Sequence, residues 1–90
     1  MVRVTFTPAL KRFYPDLKAL EIEAGDVASL LDTVDSAHPG LRAYLVDDRG
    51  ALRQHVNIFI GEDLIRDKVA LSDSLSNGDE VYIMQALSGG

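Results

Sequence analysis

The 90-residue chain ends Leu-Ser-Gly-Gly, and the reactive group this ending offers is the main-chain carboxylate of Gly90. Glycine has no Cβ, so a Gly89-Gly90 terminus threads a slot too narrow for other residues and leaves the last carbonyl open to attack. That suits a carboxylate that is itself the reacting group. Two terminal glycines can also arise by accident, so the rest of the chain has to decide.

Little else in the sequence offers chemistry. Without cysteine there is no disulfide, no thiolate zinc site and no catalytic or sulfur-carrying thiol. His38 and His55 lack metal-ligand spacing and read as structural or solvated. Asp47-Asp48 and Glu62-Asp63 read as solvated turns without calcium-loop spacing, and Gly25, Gly50, Gly61 and Gly78 are isolated turn glycines rather than a phosphate cradle. The expectation is therefore a protein that is not an enzyme and that binds no cofactor or metal of its own. Nine Lys and Arg against fourteen Asp and Glu give a net charge of −5. That balance argues against nucleic acid or an anionic membrane as partner and favours a protein with a basic rim. No apolar run approaches membrane-spanning length and the N-terminus enters strand-like sequence at once, so neither a membrane span nor a signal peptide is expected, and the expected compartment is the cytoplasm.

The elements that must position the terminus follow from periodicity. Val2, Val4 and Phe6 alternate with Arg3, Thr5 and Thr7, which predicts a half-buried first strand. Residues 7–18 hold Pro8, Pro15, Lys11 and Arg12 and read as an irregular connection in which Phe13 or Tyr14 folds back on the core. Leu20, Ile22 and Ala24 alternate with Glu21 and Glu23, a second strand that most simply pairs with the first. Asp26 is the expected N-cap of a helix over 27–37, with Val27, Leu30, Leu31, Val34 and Ala37 at helical spacing. His38-Pro39-Gly40 stops it, and Leu41, Leu45 and Val46 form one more short turn of helix before the 47–50 turn. Residues 56–60 are the next strand, with Val56, Ile58 and Ile60 inward and Phe59 outward. Gly61-Glu62-Asp63 turns the chain into a brief edge strand over 64–66, Leu71 and Leu75 plug the core, and Asn77-Gly78-Asp79 launches a last strand over 80–86. Val81 and Ile83 face in; Tyr82 and Met84 face out.

This order fits an α+β fold: a mixed sheet of four to five strands with one main helix packed across it. Together with the tail, it resembles the ubiquitin-like sulfur carriers of the β-grasp fold, the MoaD and ThiS type, which include the small subunit of molybdopterin synthase and the thiamine sulfur carrier. The resemblance covers essentially the whole chain as a single domain, 1–90, with a flexible tail at 86–90. Its most specific parts are V-N-I-F-I-G at 56–61 and L-S-N-G-D-E-V at 75–81, followed by the tail ending at Gly89-Gly90. The resemblance implies that an adenylating enzyme of the ubiquitin-activating kind uses ATP to couple Gly90 to AMP. Sulfur from a donor then displaces AMP, and the Gly90 thiocarboxylate passes its sulfur to an acceptor enzyme. Members of the family commonly carry prolines before the diglycine, and Met84-Gln85-Ala86-Leu87 has none; molybdopterin, thiamine, cysteine and thiolated-product synthesis all remain open as the pathway.

The six residues from Gln85 to Gly90 reach roughly 20 Å if extended. Docking is expected on the sheet face opposite the helix, through Phe59, Tyr82 and Met84 with Leu87 beyond them. Full burial of each contributes about 1.5–3 kcal/mol against an association cost of about 4–15 kcal/mol, which supports an exchangeable complex. Two other readings share this sequence: a protein modifier whose adenylated Gly90 is attacked by a lysine amine to form an isopeptide bond, and a non-catalytic interaction module whose terminus is idle.

Overall fold

The computed structural model describes residues 1–8, 10 and 14–85; the expectations placed on Lys11, Arg12, Phe13, Ala86, Leu87, Gly89 and Gly90 lie outside the described residues. Strands β1 (Val2–Phe6) and β2 (Leu20–Ile22) precede helices α1 (Val27–Ala37) and α2 (Leu41–Leu45). Strands β3 (Val56–Ile60), β4 (Asp63–Leu64) and β5 (Glu80–Gln85) follow. The sheet order is β2-β1-β5-β3-β4, so the last strand enters the centre. β5 runs parallel to β1, with Val4 beside Val81 and Phe6 beside Ile83. It runs antiparallel to β3, with Ile58 opposite Ile83 and Val56 opposite Gln85. This is the expected mixed five-stranded β-grasp sheet, with two helices on it.

Each strand keeps the face its alternation assigns. Val4, Ile58, Val81 and Ile83 are fully buried on the inner face, where they join Val27, Leu30 and Leu31 of α1 in one core. Truncating a fully buried leucine or isoleucine to alanine typically costs about 2–5 kcal/mol, so a few of these positions carry much of the fold. Asp26 caps α1 as its sequence position predicts, accepting from the Ser29 N–H at 2.8 Å. The helix ends at His38, whose N–H donates to the Val34 carbonyl at 2.9 Å.

The structure adjusts some boundaries. The edge strand occupies Asp63–Leu64 rather than 64–66, because Gly61, at φ +65°, and Glu62 close a two-residue hairpin that returns the chain one residue early. Ile65 then turns under the sheet, buried, with its N–H on the Ile58 carbonyl at 3.0 Å. In the 7–18 connection Tyr14 does pack against the core, but the deepest plugs are Leu10 and Leu17.

Residues 66–75 form a strap across the start of α1. The Val27 N–H donates to the Asp73 carbonyl at 3.1 Å and the Ala28 N–H to the Leu71 carbonyl at 3.0 Å, so the strap satisfies helix donors that would otherwise lack partners. Leu71 is held at φ +56°, an unfavourable angle for leucine, with its side chain buried in the core. Two carboxylates organise the strap from within. Asp67 accepts from the N–H groups of Val69 at 3.0 Å, Ala70 at 2.9 Å and Ser72 at 3.2 Å, and from the Ser72 hydroxyl at 2.5 Å. Asp73 accepts from the N–H groups of Arg66 at 2.9 Å and Asp67 at 2.7 Å. The Ser72 hydroxyl first, then these amides, hold the Asp67 carboxyl down at about 2 from an ordinary 3.8. Backbone amides lower Asp73 and Asp26 as well.

A carboxyl depressed in the folded state contributes stability that is fully present above its unfolded value and lost as pH falls through its folded value. For Asp67 the window runs from about pH 4 down to about pH 2. Asp67→Asn should therefore lower the melting temperature at pH 7 and flatten its fall across that window. Melting curves at half-unit steps check this; parallel curves for both proteins would show that the Asp67 charge contributes nothing.

Candidate functional site

Because β1 and β5 are parallel, the two ends of the sheet are chemically distinct. At one end the Met1 ammonium donates to Asn77 Oδ1, the Gly78 N–H donates to the Met1 carbonyl at 2.8 Å, and the Arg3 N–H donates to the Asp79 carbonyl at 3.0 Å. These bonds fix the turn that launches β5. At the other end the Thr7 N–H donates to the Ile83 carbonyl at 2.8 Å and Val56 stands opposite Gln85. The final strand is thus held by neighbours on both sides and delivers the chain from the middle of the sheet, five residues short of Gly90.

The connection after β1 leaves from this same end and packs on the helices. The Tyr14 hydroxyl donates to the Pro39 carbonyl at 3.2 Å, and its ring meets His38 and Tyr44 edge-on at centroid distances of 6.0 and 5.9 Å. Gly40 sits at φ +93°, in the left-handed region that favours glycine, and a Cβ there would make a tight 3.0 Å contact with the Tyr14 hydroxyl oxygen. Burial first, then electrostatic repulsion from Tyr44 and Asp35, pushes the Tyr14 phenol above its usual value. His38 is therefore a helix cap in an aromatic contact, and His55 is exposed at the start of β3.

The outer face of the sheet carries the expected docking residues. Phe59, Tyr82 and Met84 share it, all half-buried, so they project as the alternation predicts but lean on their neighbours. Register aligns them: Phe59 lies beside Tyr82, Tyr82 beside Thr5, and Asn57 beside Met84. Leu87 lies outside the described residues. Sequence reasoning missed Leu64. Its pairing with Phe59 places it on the outer face at 40% exposure, extending the row to Leu64, Phe59, Tyr82 and Thr5. Four neighbouring strands span about 14 Å at the usual strand spacing, enough for the centre of a small interface. The signal was the Gly61-Glu62 turn, since a two-residue hairpin fixes register and puts Leu64 across from Phe59. Toward the Met1 end the same face turns charged, with Arg3 beside both Glu21 and Glu80.

Of two surface depressions, one lies away from this row and the other borders it at Leu64. One, of about 410 Å³, is lined by Asp35, Arg42, Asp47, Asp48 and Arg53 among others. Its Asp35 and Asp47 carboxylates are occupied by backbone donors, the N–H groups of Gly40 and Arg42 and of Arg49 and Ala51, all at 2.9–3.1 Å. The other, also about 410 Å³, lies between β4 and the strap and is lined by Ile60, Asp63, Leu64, Arg66 and Asp73. Among the described residues no three His, Asp or Glu side chains converge as metal ligands, and no helix is long and apolar enough to cross a membrane. What the geometry assembles is a central strand anchored on both sides, with an apolar row across the outer face of the sheet.

The model of the ThiS family matches residues 4–90. The sulfur carrier protein CysO of Mycobacterium tuberculosis strain H37Rv is 23% identical over 91 residues, covering 99% of this chain and 98% of that protein. A chain in the crystal structure of the Amycolatopsis orientalis BexX/CysO complex superposes with a TM-score of 0.85 at 27% identity, over 100% of both chains. The small archaeal modifier protein SAMP1 of Haloferax volcanii superposes at 0.76 with 23% identity, covering 99% of this chain and 98% of that one, which is a likeness of fold.

Proposed function

Because the chain belongs to the ThiS family, we propose that it is a sulfur carrier that works through a thiocarboxylate at Gly90. The observation that carries this reading is the placement of β5. The strand that ends nearest the diglycine is the central one, braced by β1 and β3, so a rigid body can present the terminus to an enzyme.

A free carboxylate is a poor electrophile. An adenylating enzyme couples Gly90 to AMP, with pyrophosphate leaving ATP, and the resulting mixed anhydride has a good leaving group. Sulfide attacks the Gly90 carbonyl and AMP departs, giving the thiocarboxylate directly; a donor persulfide gives an acyl disulfide instead, which a second thiol of the donor cleaves to the thiocarboxylate while itself closing a disulfide. The thiocarboxylate formed is a soft nucleophile that transfers sulfur to an acceptor without any cysteine on the carrier. Gly89 contributes by leaving the approach to that carbonyl clear. The carrier supplies reach and docking, binds no cofactor itself, and leaves ATP and acid-base groups to its partners. The row of Phe59, Tyr82 and Leu64, with Met84 and Leu87 toward the tail, is the face that docks. A similar chain occurs in the BexX/CysO complex, which supports partner docking as this protein's way of working.

The test is the intact mass of the protein after incubation with its adenylating enzyme, ATP and a sulfur donor. The expected product gains the difference between sulfur and oxygen, localised to Gly90 by fragment ions that separate it from Met84. An unchanged mass accompanied by lysine conjugates in cell extract would replace this reading with the protein modifier.

A further inference from the structure

We propose that Met84 is a peroxide-sensitive site whose oxidation weakens docking of the carrier; the inference rests on the docking face proposed above. The chain has two side-chain sulfurs, those of Met1 and Met84. Met1 is 58% exposed at the end of the sheet remote from the tail, whereas Met84 is half-buried on the outer face, beside the last described step of β5. Its cross-strand partner in the register is Asn57, and both residues are partly exposed, so the Met84 side chain lies at a surface that water and peroxide reach. The apolar residues of the adjoining row, Leu64, Phe59 and Tyr82, have no comparably soft atom. The one oxidisable group on this face is therefore the one nearest the tail.

The step is a two-electron oxygen transfer from hydrogen peroxide. The sulfur lone pair attacks one peroxide oxygen, an S–O bond forms and the O–O bond breaks. The second oxygen leaves with both hydrogens as water. Sulfur is oxidised, peroxide is reduced, and a flexible apolar side chain becomes a polar, chiral sulfoxide that methionine sulfoxide reductases can reverse. In a docked complex that new acceptor must lose its water, which disfavours the interface without touching the fold or the carboxylate.

The experiment uses the carrier in its carboxylate form, treated with hydrogen peroxide that is removed by catalase before the adenylating enzyme is added. Fragment ions read sulfoxide at Met1 and Met84 separately, and calorimetry reads Kd before and after. The wild type should show sulfoxide at Met84 and a rise in Kd of about tenfold or more, reversed by methionine sulfoxide reductase. Met84→Leu, compared only with its own untreated form, should change less than about twofold, because peroxide then reaches Met1 alone. The proposal is overturned if Met84 sulfoxide forms and Kd stays unchanged, if Met84→Leu weakens as much as the wild type, or if Met84 resists peroxide that oxidises Met1 fully. Any of these leaves the carrier reading standing. Failure of the untreated protein to bind the adenylating enzyme would remove both.

Discussion

Deleting Gly89 and Gly90 should abolish thiocarboxylate formation while leaving the melting temperature unchanged. The core of the described structure closes at Ile83, and the last strand pairing is made at Gln85, so stability should move by no more than about 0.5 kcal/mol. The chemical effect is of another order. Without the diglycine the carboxylate belongs to Ser88 and is withdrawn by two residues, or roughly 7 Å of extended chain. Misplacing a reacting atom by even 1 Å can cost about a hundredfold, so a retreat of several ångströms leaves no measurable thiolation at any carrier concentration. Serine also brings a Cβ to the terminal position, which the proposed function reserves for glycine. The readouts are intact mass after incubation with enzyme, ATP and sulfur donor, and a thermal melt on the same sample. A truncated protein that still supports sulfur transfer in cells would make the terminus idle and the sheet face the whole of the function.

The comparison between pattern and structure is uneven along the chain for a physical reason. The alternation of Val2, Val4 and Phe6, the apolar run over 56–60 and the helical spacing of Val27, Leu30, Leu31 and Val34 each report burial of a local face, which a sequence states directly. The capping of α1 by Asp26 is equally local. Parallel pairing of β1 with β5 joins residues as far apart in sequence as Arg3 and Glu80, and the fold class rather than either segment indicates it. The strap over 66–75 was legible only at Leu71 and Leu75. Its Asp67 and Asp73 networks depend on backbone amides that become donors only once the loop is formed, and the φ of +56° at Leu71 contradicts that residue's own preference. For the site, the outward direction of Phe59, Tyr82 and Met84 followed from period two, whereas Leu64 required the length of a turn. Leu10 and Leu17 were hidden because residues 7–18 have no period to read.

Tyr82→Glu should weaken docking on the adenylating enzyme by about a hundredfold or more, through the sheet face alone. Tyr82 lies on the central strand between Phe59 and Thr5, so it stands in the middle of the row that the structure aligns. A carboxylate there removes an aromatic anchor and must be desolvated in the complex. It also stands on the same face as Glu80, two residues back along the strand, adding like charge where Arg3 already borders two acids. The cost to the fold is small by comparison, about 1 kcal/mol or less, because the side chain points away from the core and only strand propensity and lateral contacts change. Tyr82→Phe, which keeps the ring, should shift Kd less than about threefold. What separates this variant from the truncation is its kinetics. With Gly90 in place, Tyr82→Glu should raise the KM for the carrier and recover its thiolation rate as the carrier concentration rises, since the interaction lost is made equally in the ground and transition states. The truncated protein should recover nothing. If Tyr82→Glu instead lowers the maximal rate with KM unchanged, the outer face takes part in aligning Gly90 for attack rather than in docking, and the carrier's two surfaces form one catalytic arrangement.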